Sequence, residues 1–525
     1  MIRVYCVLLV FMVFNANLLS KDFLINEYGA LEGQNSTNAI QNAVDKCNAA
    51  GGGRVIIPPG LFISGVVFLK SNVTIHLENG AILKGSTNLD DYRYNNSGYG
   101  MFYAEDACNI SFTGQGTIDA SGTNFYDHTK NHLWDEFDRE VIRQKNDYMP
   151  EGVFFTDGPI KRTGAPGMTL VFFHCTKISL RDITIKDTPV WATRFGYCED
   201  VLIDGITILN NILVPNSDGI HCTASRNIRI SNCNISAGDD AIVLTGFSRD
   251  EDRPGVSMAE QEAHHYGNKS VYAENLNVTN CQLRSASAGI RIGYGQHPIR
   301  RCNFSNITIY DSHRGIGIFA HDSTDIEELV FNNIIIETRL YNGQWWGNGE
   351  PVHLSCISRF PGHPAGQIKN VTFNNIIAKA EQGILLFGQE GSRIENVSFN
   401  NLSLTIRNGK ETLAYGGNFD LRPASPKKMQ IFEHDIPGLY AQHVKNLSIN
   451  GFELSWGTGL PGFFTNAVEI QNFDQVTIRN LNGCSAPNSI DKSDIKISNG
   501  KGFTFSGNRC NGRESVISKK NVINE

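Results

Sequence analysis

Three aspartates define the chemistry to be explained. Asn216-Ser217-Asp218-Gly219 is followed, about one short repeat later, by Gly238-Asp239-Asp240. If each motif sits on its own strand of a stacked coil, neighbouring strands lie about 4.8 Å apart and the three carboxyl groups meet on one patch. Clustered carboxylates repel, so at least one holds its proton near neutral pH. A protonated acid beside an ionised base is what hydrolysis of a glycosidic bond needs: the acid protonates the leaving oxygen and the base activates water. A single displacement with inversion asks for about 6.5–9.5 Å between acid and base, leaving room for that water. The competing reading is calcium binding or plain turn chemistry, since Asp and Asn are ordinary turn residues. Asp-Asp alone is a weak signal; Asp-Asp after Gly, one coil beyond Asn-Ser-Asp, is a stronger one.

The elements that must position these groups announce themselves as an internal repeat. Short segments such as Ile178–Ile185, Val201–Ile208, Ile228–Ile235, Val330–Ile336, Val371–Ile377 and Val397–Leu404 alternate apolar and polar residues. Period-two alternation marks strands with one buried face. Asn-Asn or Asn-Gly between paired strands suits a tight corner, because Asn and Gly tolerate left-handed backbone angles. The Ile-Thr pairs at 183–184 and 206–207 stand one such coil apart. A coil of that size cannot bury its own apolar face, so coils must stack. The expected fold is all-β, a right-handed parallel β-helix. A propeller, with four antiparallel strands in blades of about forty residues, fits the short period poorly. A helical pattern over Asn38–Ala49 reads as an N-terminal cap on the open end of the solenoid. Insertions at about 122–160, 247–269, 339–365 and 408–440 are expected to emerge on one face and wall a cleft.

The N-terminus has one early cation, Arg3, then an apolar run from Val4 to about Phe14. That pattern reads as a secretory signal peptide over residues 1–20, with one β-helix domain over 21–525, and a secreted or periplasmic location follows. No later run is long enough for a membrane span. A net charge of −7 argues against a nucleic-acid binder, while leaving room for a local basic cleft on an acidic protein. Cys175, Cys198, Cys222, Cys281 and Cys302 fall in or beside the strands and read as small buried hydrophobes. A bridge between Cys484 and Cys510 is one open possibility. The oligomeric state is left open.

The motifs resemble those of glycoside hydrolase family 28, the polygalacturonase family. The likeness runs through Glu27-Tyr28-Gly29-Ala30, Gly51-Gly52-Gly53-Arg54-Val55, Pro58-Pro59-Gly60, Gly114-Gln115-Gly116-Thr117-Ile118-Asp119, Asp187-Thr188-Pro189-Val190-Trp191 and the two aspartate motifs. It implies an inverting hydrolase with a pectic or related acidic polysaccharide as substrate, no metal and no cofactor. By that likeness Asp239 is the general acid, and Asp218 and Asp240 position and activate water. The chain departs from the family twice. The histidine of its Gly-His-Gly is replaced by Ala288, and Gly317-Ile318-Phe319 stands where the family has Arg-Ile-Lys. Since those cations go with the substrate carboxylate in polygalacturonases, plain polygalacturonan is put in doubt as the substrate.

Replacement contacts to substrate are sought in Arg291, His313, Arg314 and His321. An unpaired buried Arg is costly, so Arg291 is expected to face outward into the cleft. His313 and Arg314 read equally as solvated turn residues, and His321-Asp322 as a local hydrogen-bonded pair. Trp345 and Trp346 offer flat apolar faces to sugar rings or else anchor their loop, and Glu350 is expected near sugar hydroxyls. Adjacent His264 and His265 make a poor metal ligand set. Two rival functions remain at this level: a polysaccharide lyase, which yields an unsaturated product absorbing in the ultraviolet, and a non-catalytic carbohydrate-binding solenoid.

Overall fold

A computed structural model describes residues 21–95, 97–133, 136–247 and 271–523. The expected leader at 1–20 lies outside them, as do His264, His265 and most of the 247–269 insertion.

The chain winds as a right-handed parallel β-helix. One turn carries three short strands, Thr193–Gly196, Glu199–Asp204 and Thr207–Leu209. Each pairs in parallel with its counterpart on the next turn, Ile220–Thr223, Arg226–Ser231 and Asn234–Ala237. From residue 299 onward the second and third strands fuse across the corner into single long strands, beginning with Ile299–Ser312 and Asp325–Thr338. The pairing is parallel throughout the solenoid up to its C-terminal end, which excludes antiparallel blades.

Alternation does what the sequence demands: apolar residues point inward and stack turn on turn. Phe304, Phe331, Phe373 and Phe399 form a column with ring centroids 4.8, 4.8 and 4.7 Å apart and planes within 10°. Seven free cysteines, Cys175 to Cys356, are buried in or beside the same strands. At the corners Asn306, Asn333, Asn375 and Asn401 adopt positive φ of 54–55°. Their amides hydrogen-bond to one another from turn to turn at 3.0–3.2 Å. Asparagine suits this corner twice over, because it tolerates the left-handed angle and its side chain pairs with the one below.

The helix Thr37–Ala49 covers the first turn with Ala39, Ile40, Ala43, Val44 and Cys47 buried against it. One continuous apolar core then runs from Ile25 to Phe503. Near the far end Cys484 and Cys510 form a disulfide. Among the described residues no helix is long and apolar enough to cross a membrane.

The insertions build a second, smaller core outside the solenoid. Phe137, Ile142, Tyr148, Met149 and Phe155 of the first insertion meet Leu340 of the third and Tyr415 and Ile431 of the fourth. Arg143 stitches this cap together: its backbone N–H donates to Asn418 Oδ1 (2.8 Å), its Nε to Gly417 O (2.9 Å), and its guanidinium pairs with Asp435 (2.7 Å).

Candidate active site

The ladder of backbone hydrogen bonds fixes where the aspartates stand. Gly219 N–H donates to Asp240 O (2.9 Å), and Ala241 N–H donates to Ala288 O (2.9 Å). Asp218 and Asp240 therefore occupy equivalent places on adjacent turns, with Ala288 next and Arg314 in register beyond it. Gly315 N–H donates to Glu350 O (2.9 Å), which continues this file to Glu350. A parallel file three residues further along each strand contains Arg194, His221, Val243, Arg291, Gly317 and His353. Asp239 precedes the strand Ile242–Gly246, where the backbone bends and strict alternation lapses, so it reaches the same side as Asp240. Its two carboxylate oxygens accept from Asp240 N–H (3.0 Å) and Asn216 N–H (3.2 Å).

All three carboxyl groups line one cavity of about 480 Å³, together with Trp191, Asn216, Ser287, Arg291, Tyr294, Arg314, Phe319, Trp346, Arg359, Phe360, Arg422, Pro423 and Gln430. Burial, reinforced by Asp240, pushes Asp239 up to about 7, while Arg291 pulls the other way. Burial and then the charges of Asp239 and Asp240 hold Asp218 well above the usual carboxylate range. Arg291 forms an ion pair with Asp240, whose other oxygen accepts from Ala288 N–H (3.0 Å). His221 Nδ1 lies 3.1 Å from Asp218 Oδ2, and Trp191 stacks on the imidazole at 3.6 Å between centroids. Burial, with Arg291 and Arg194 nearby, keeps that imidazole well below its usual range, so the ring is neutral. The cavity thus places two carboxyl groups whose burial favours the protonated form beside a third that is paired with an arginine.

The other sequence-derived candidates divide. Arg291 faces the cavity, as expected from the cost of burying it unpaired. Arg314 is in the cavity wall and is no solvated turn residue: it is 3% exposed and lies 3.4 Å from Glu350. That approach lacks hydrogen-bond geometry, so Arg314 Nε and Arg291 Nη1 are buried donors with no hydrogen-bond partner among the described residues. Trp346 lines the cavity, whereas Trp345 is fully buried and donates Nε1–H to Asp157 O (2.6 Å), anchoring the loop.

Three expectations fail. Glu350 does not line the cavity; it is fully buried behind Arg314 and accepts from Asn348 N–H (2.8 Å). His313 is buried beside Tyr341, because its place at the strand entrance is covered by the third insertion. His321 is not paired with Asp322. Its ring bridges Pro423 O (2.8 Å) and Ser355 Oγ (2.6 Å), while Asp322 takes Arg359 (3.0 Å) and Gly295 N–H (2.8 Å).

Sequence reasoning also missed contributors. His221 and Trp191 were findable, since they lie three residues after Asp218 and one turn before it. Arg359 and Arg422 were not, because each arrives on an insertion and is held by a partner distant in sequence or internal to the loop: Asp322 for the first, Asp420 (2.8 Å) and Trp345 O (2.5 Å) for the second.

The departure at 317–319 also gains a physical account. Gly317 is the neighbour in register of Arg291, so a cation stands one turn away from the position that lacks one. Phe319 stacks on Tyr294 (5.7 Å, 16°), with the Arg314 guanidinium 5.0 Å from its ring.

Residues 161–416 match the model of glycosyl hydrolases family 28. A probable polygalacturonase of Vitis vinifera is 25% identical over 42% of this chain and 43% of its own length. An exo-poly-alpha-D-galacturonosidase of Dickeya chrysanthemi is 27% identical over 45% of this chain and 44% of its own. The chain thus spans less than half the length of these curated relatives. Among solved structures, the Yersinia enterocolitica family 28 exopolygalacturonase superposes with a TM-score of 0.59 at 17% identity, covering 87% of this chain and 78% of that one. That likeness concerns the fold. The family model lies over both aspartate motifs, so in residues 161–416 the chain is similar to the glycosyl hydrolases of family 28.

Proposed function

We propose that the protein hydrolyses glycosidic bonds in a pectic or related acidic polysaccharide by single displacement with inversion. One observation carries the reading: Asp239, with a carboxyl pushed up to about 7, shares a cavity with the Asp240–Arg291 ion pair. Asp239 gives its proton to the leaving glycosidic oxygen. Asp240 takes a proton from the attacking water, and Asp218, steadied by His221, holds that water in place. Protonating the leaving oxygen while water attacks from the opposite face avoids both a free alkoxide and a free hydroxide, which is where the rate gain lies.

The substrate's negative charge is met by Arg291 Nη1 and Arg314 Nε. Buried donors without a partner are costly to leave unfilled, and a sugar carboxylate satisfies them with charge-assisted bonds. Trp346, Trp191 and Tyr294 supply flat faces for the sugar ring. A location outside the cytoplasm is supported by the apolar N-terminal run and by the Cys484–Cys510 disulfide, which persists in oxidising compartments.

The test is a screen against pectic fragments, rhamnogalacturonans included, followed by product stereochemistry. New reducing ends of inverted anomeric configuration support the proposal. A product absorbing in the ultraviolet points to elimination and sinks it, and retention of configuration sinks the single displacement.

A further inference from the structure

The aspartate-bearing face of the coil changes character within a few turns. Around the acids the file three residues further along carries Arg194, His221 and Arg291, with Val243 between the last two. Two turns beyond Gly317 the same file reads Leu385 and then Tyr440. These apolar residues are each 1% exposed, because the fourth insertion lies over them as a roof. Phe419 packs on Tyr440 at 4.8 Å and Phe432 on Phe387 at 5.9 Å, and Phe419 and Leu421 join the solenoid core. Polar clasps fasten the roof along its length. His321 holds Pro423 O (2.8 Å), Ser425 N–H donates to Ser358 O (2.8 Å), and Asn348 Nδ2 donates to Asn418 O (3.0 Å).

The rim of this roof, Arg422-Pro423, forms the end of the aspartate cavity together with Arg359-Phe360 and Trp346. Beyond that rim the described residues leave no groove over Leu385 and Tyr440. A polysaccharide lying along the coil axis runs into the roof on this side of the acids. Lifting the roof would expose a continuous apolar seam and break its clasps, at a cost that a sugar chain has no matching contacts to offset.

The geometry points to chain-end action: the enzyme admits one terminus of the polymer into the blind end of the cavity and releases short pieces of constant size. This rests on the hydrolase reading above. The roof sets how many sugar units fit between the terminus and the cleaved bond, and its rim residues meet the terminal unit.

The wild-type protein tests this directly. Polymeric substrate identified by the screen is digested while reducing ends, viscosity and product size are followed together. Chain-end action gives one product size from the earliest sample, with viscosity nearly unchanged as reducing ends accumulate. A broad ladder of sizes with an early collapse of viscosity overturns the inference while leaving hydrolysis standing. Oligomers blocked at one terminus sharpen the result. Of two sets, one carrying an unsaturated uronate at the non-reducing end and the other reduced at the opposite end, one set is refused and the other cut. Internal cleavage of both sets overturns the inference. Absence of any new reducing ends overturns the hydrolase reading, and chain-end action falls with it.

Discussion

The solenoid core and the cap core solve the same problem by opposite means. In the solenoid every layer repeats the one before, so Phe331 meets Phe304 and Phe373, and Asn375 meets Asn333 and Asn401. In the cap nothing repeats. Tyr148 packs with Phe137 at 5.4 Å and Tyr415 at 5.5 Å, and Arg143 reaches Asp435, 292 residues away. The acids stand on the repeating part, where the backbone ladder fixes their spacing. The walls and the roof stand on the non-repeating part, where sequence is free to vary. Acid–base chemistry and access to it are thereby built from different materials.

The largest effect should come from a change that leaves both regions intact. Asp239→Asn is expected to lower turnover by roughly 10²–10⁴-fold, the usual worth of a general acid, with unaltered circular dichroism and retained binding. Unchanged turnover would detach the chemistry from the solenoid altogether.

The two cores can then be separated by a matched pair of truncations. Phe373→Ala interrupts the phenylalanine column and should cost about 3–5 kcal/mol in global unfolding, read by denaturant melts. Tyr148→Ala removes a ring of similar size from the cap. Its loss should appear as faster hydrogen exchange across 412–436, with amides of the coil still protected. Equal loss of protection in both regions would show that cap and coil unfold as one unit.

Acidity gives a third, more graded test. Asp239 must be protonated to act, so turnover should fall as pH rises through about 7. Its folded-state value lies above its ordinary 3.8, so ionisation costs the folded state, and stability is lost as pH rises across that interval. Asp239→Asn removes this cost. The variant should match wild type in melts at low pH and exceed it above neutrality; an advantage that is constant with pH would show that the acid titrates normally.

The corner ladder should respond least. Asn375→Ala keeps the left-handed angle without the side-chain bonds and is expected to cost about 1–2 kcal/mol. Asn375→Gly relaxes the angle and should cost less, so the difference between the two melts separates conformation from hydrogen bonding.

What could be read from the chain follows the same division. Alternation, Asn corners and the two aspartate motifs are local patterns, and they identify the coil, its capping helix and the carboxyl cluster. Arg314 reads in the sequence as either a replacement cation or a solvated turn residue, and its register with Ala288 decides for the first. Glu350, named for sharing a loop with the two tryptophans, and His313, named for its place at a strand entrance, fall outside the cavity because an insertion covers them, and insertions follow no period. The part played by His321 was hidden for the same reason: its partner, Pro423, lies 102 residues away. Arg359 and Arg422 carry no signal in their own neighbourhoods that distinguishes them from other loop arginines.

The bare backbone at Gly317 makes room for its neighbours. A Cβ at this position would come within 2.6 Å of the Phe319 ring and 3.2 Å of Arg314 Cδ. Restoring arginine there in one step therefore collides with the very groups that now furnish the pocket. The Phe319 ring would have to move aside, giving up its stack on Tyr294. In this packing a side chain at 317 and the Phe319–Arg314 arrangement exclude one another, so the charge beside the acids comes from Arg291 and Arg314.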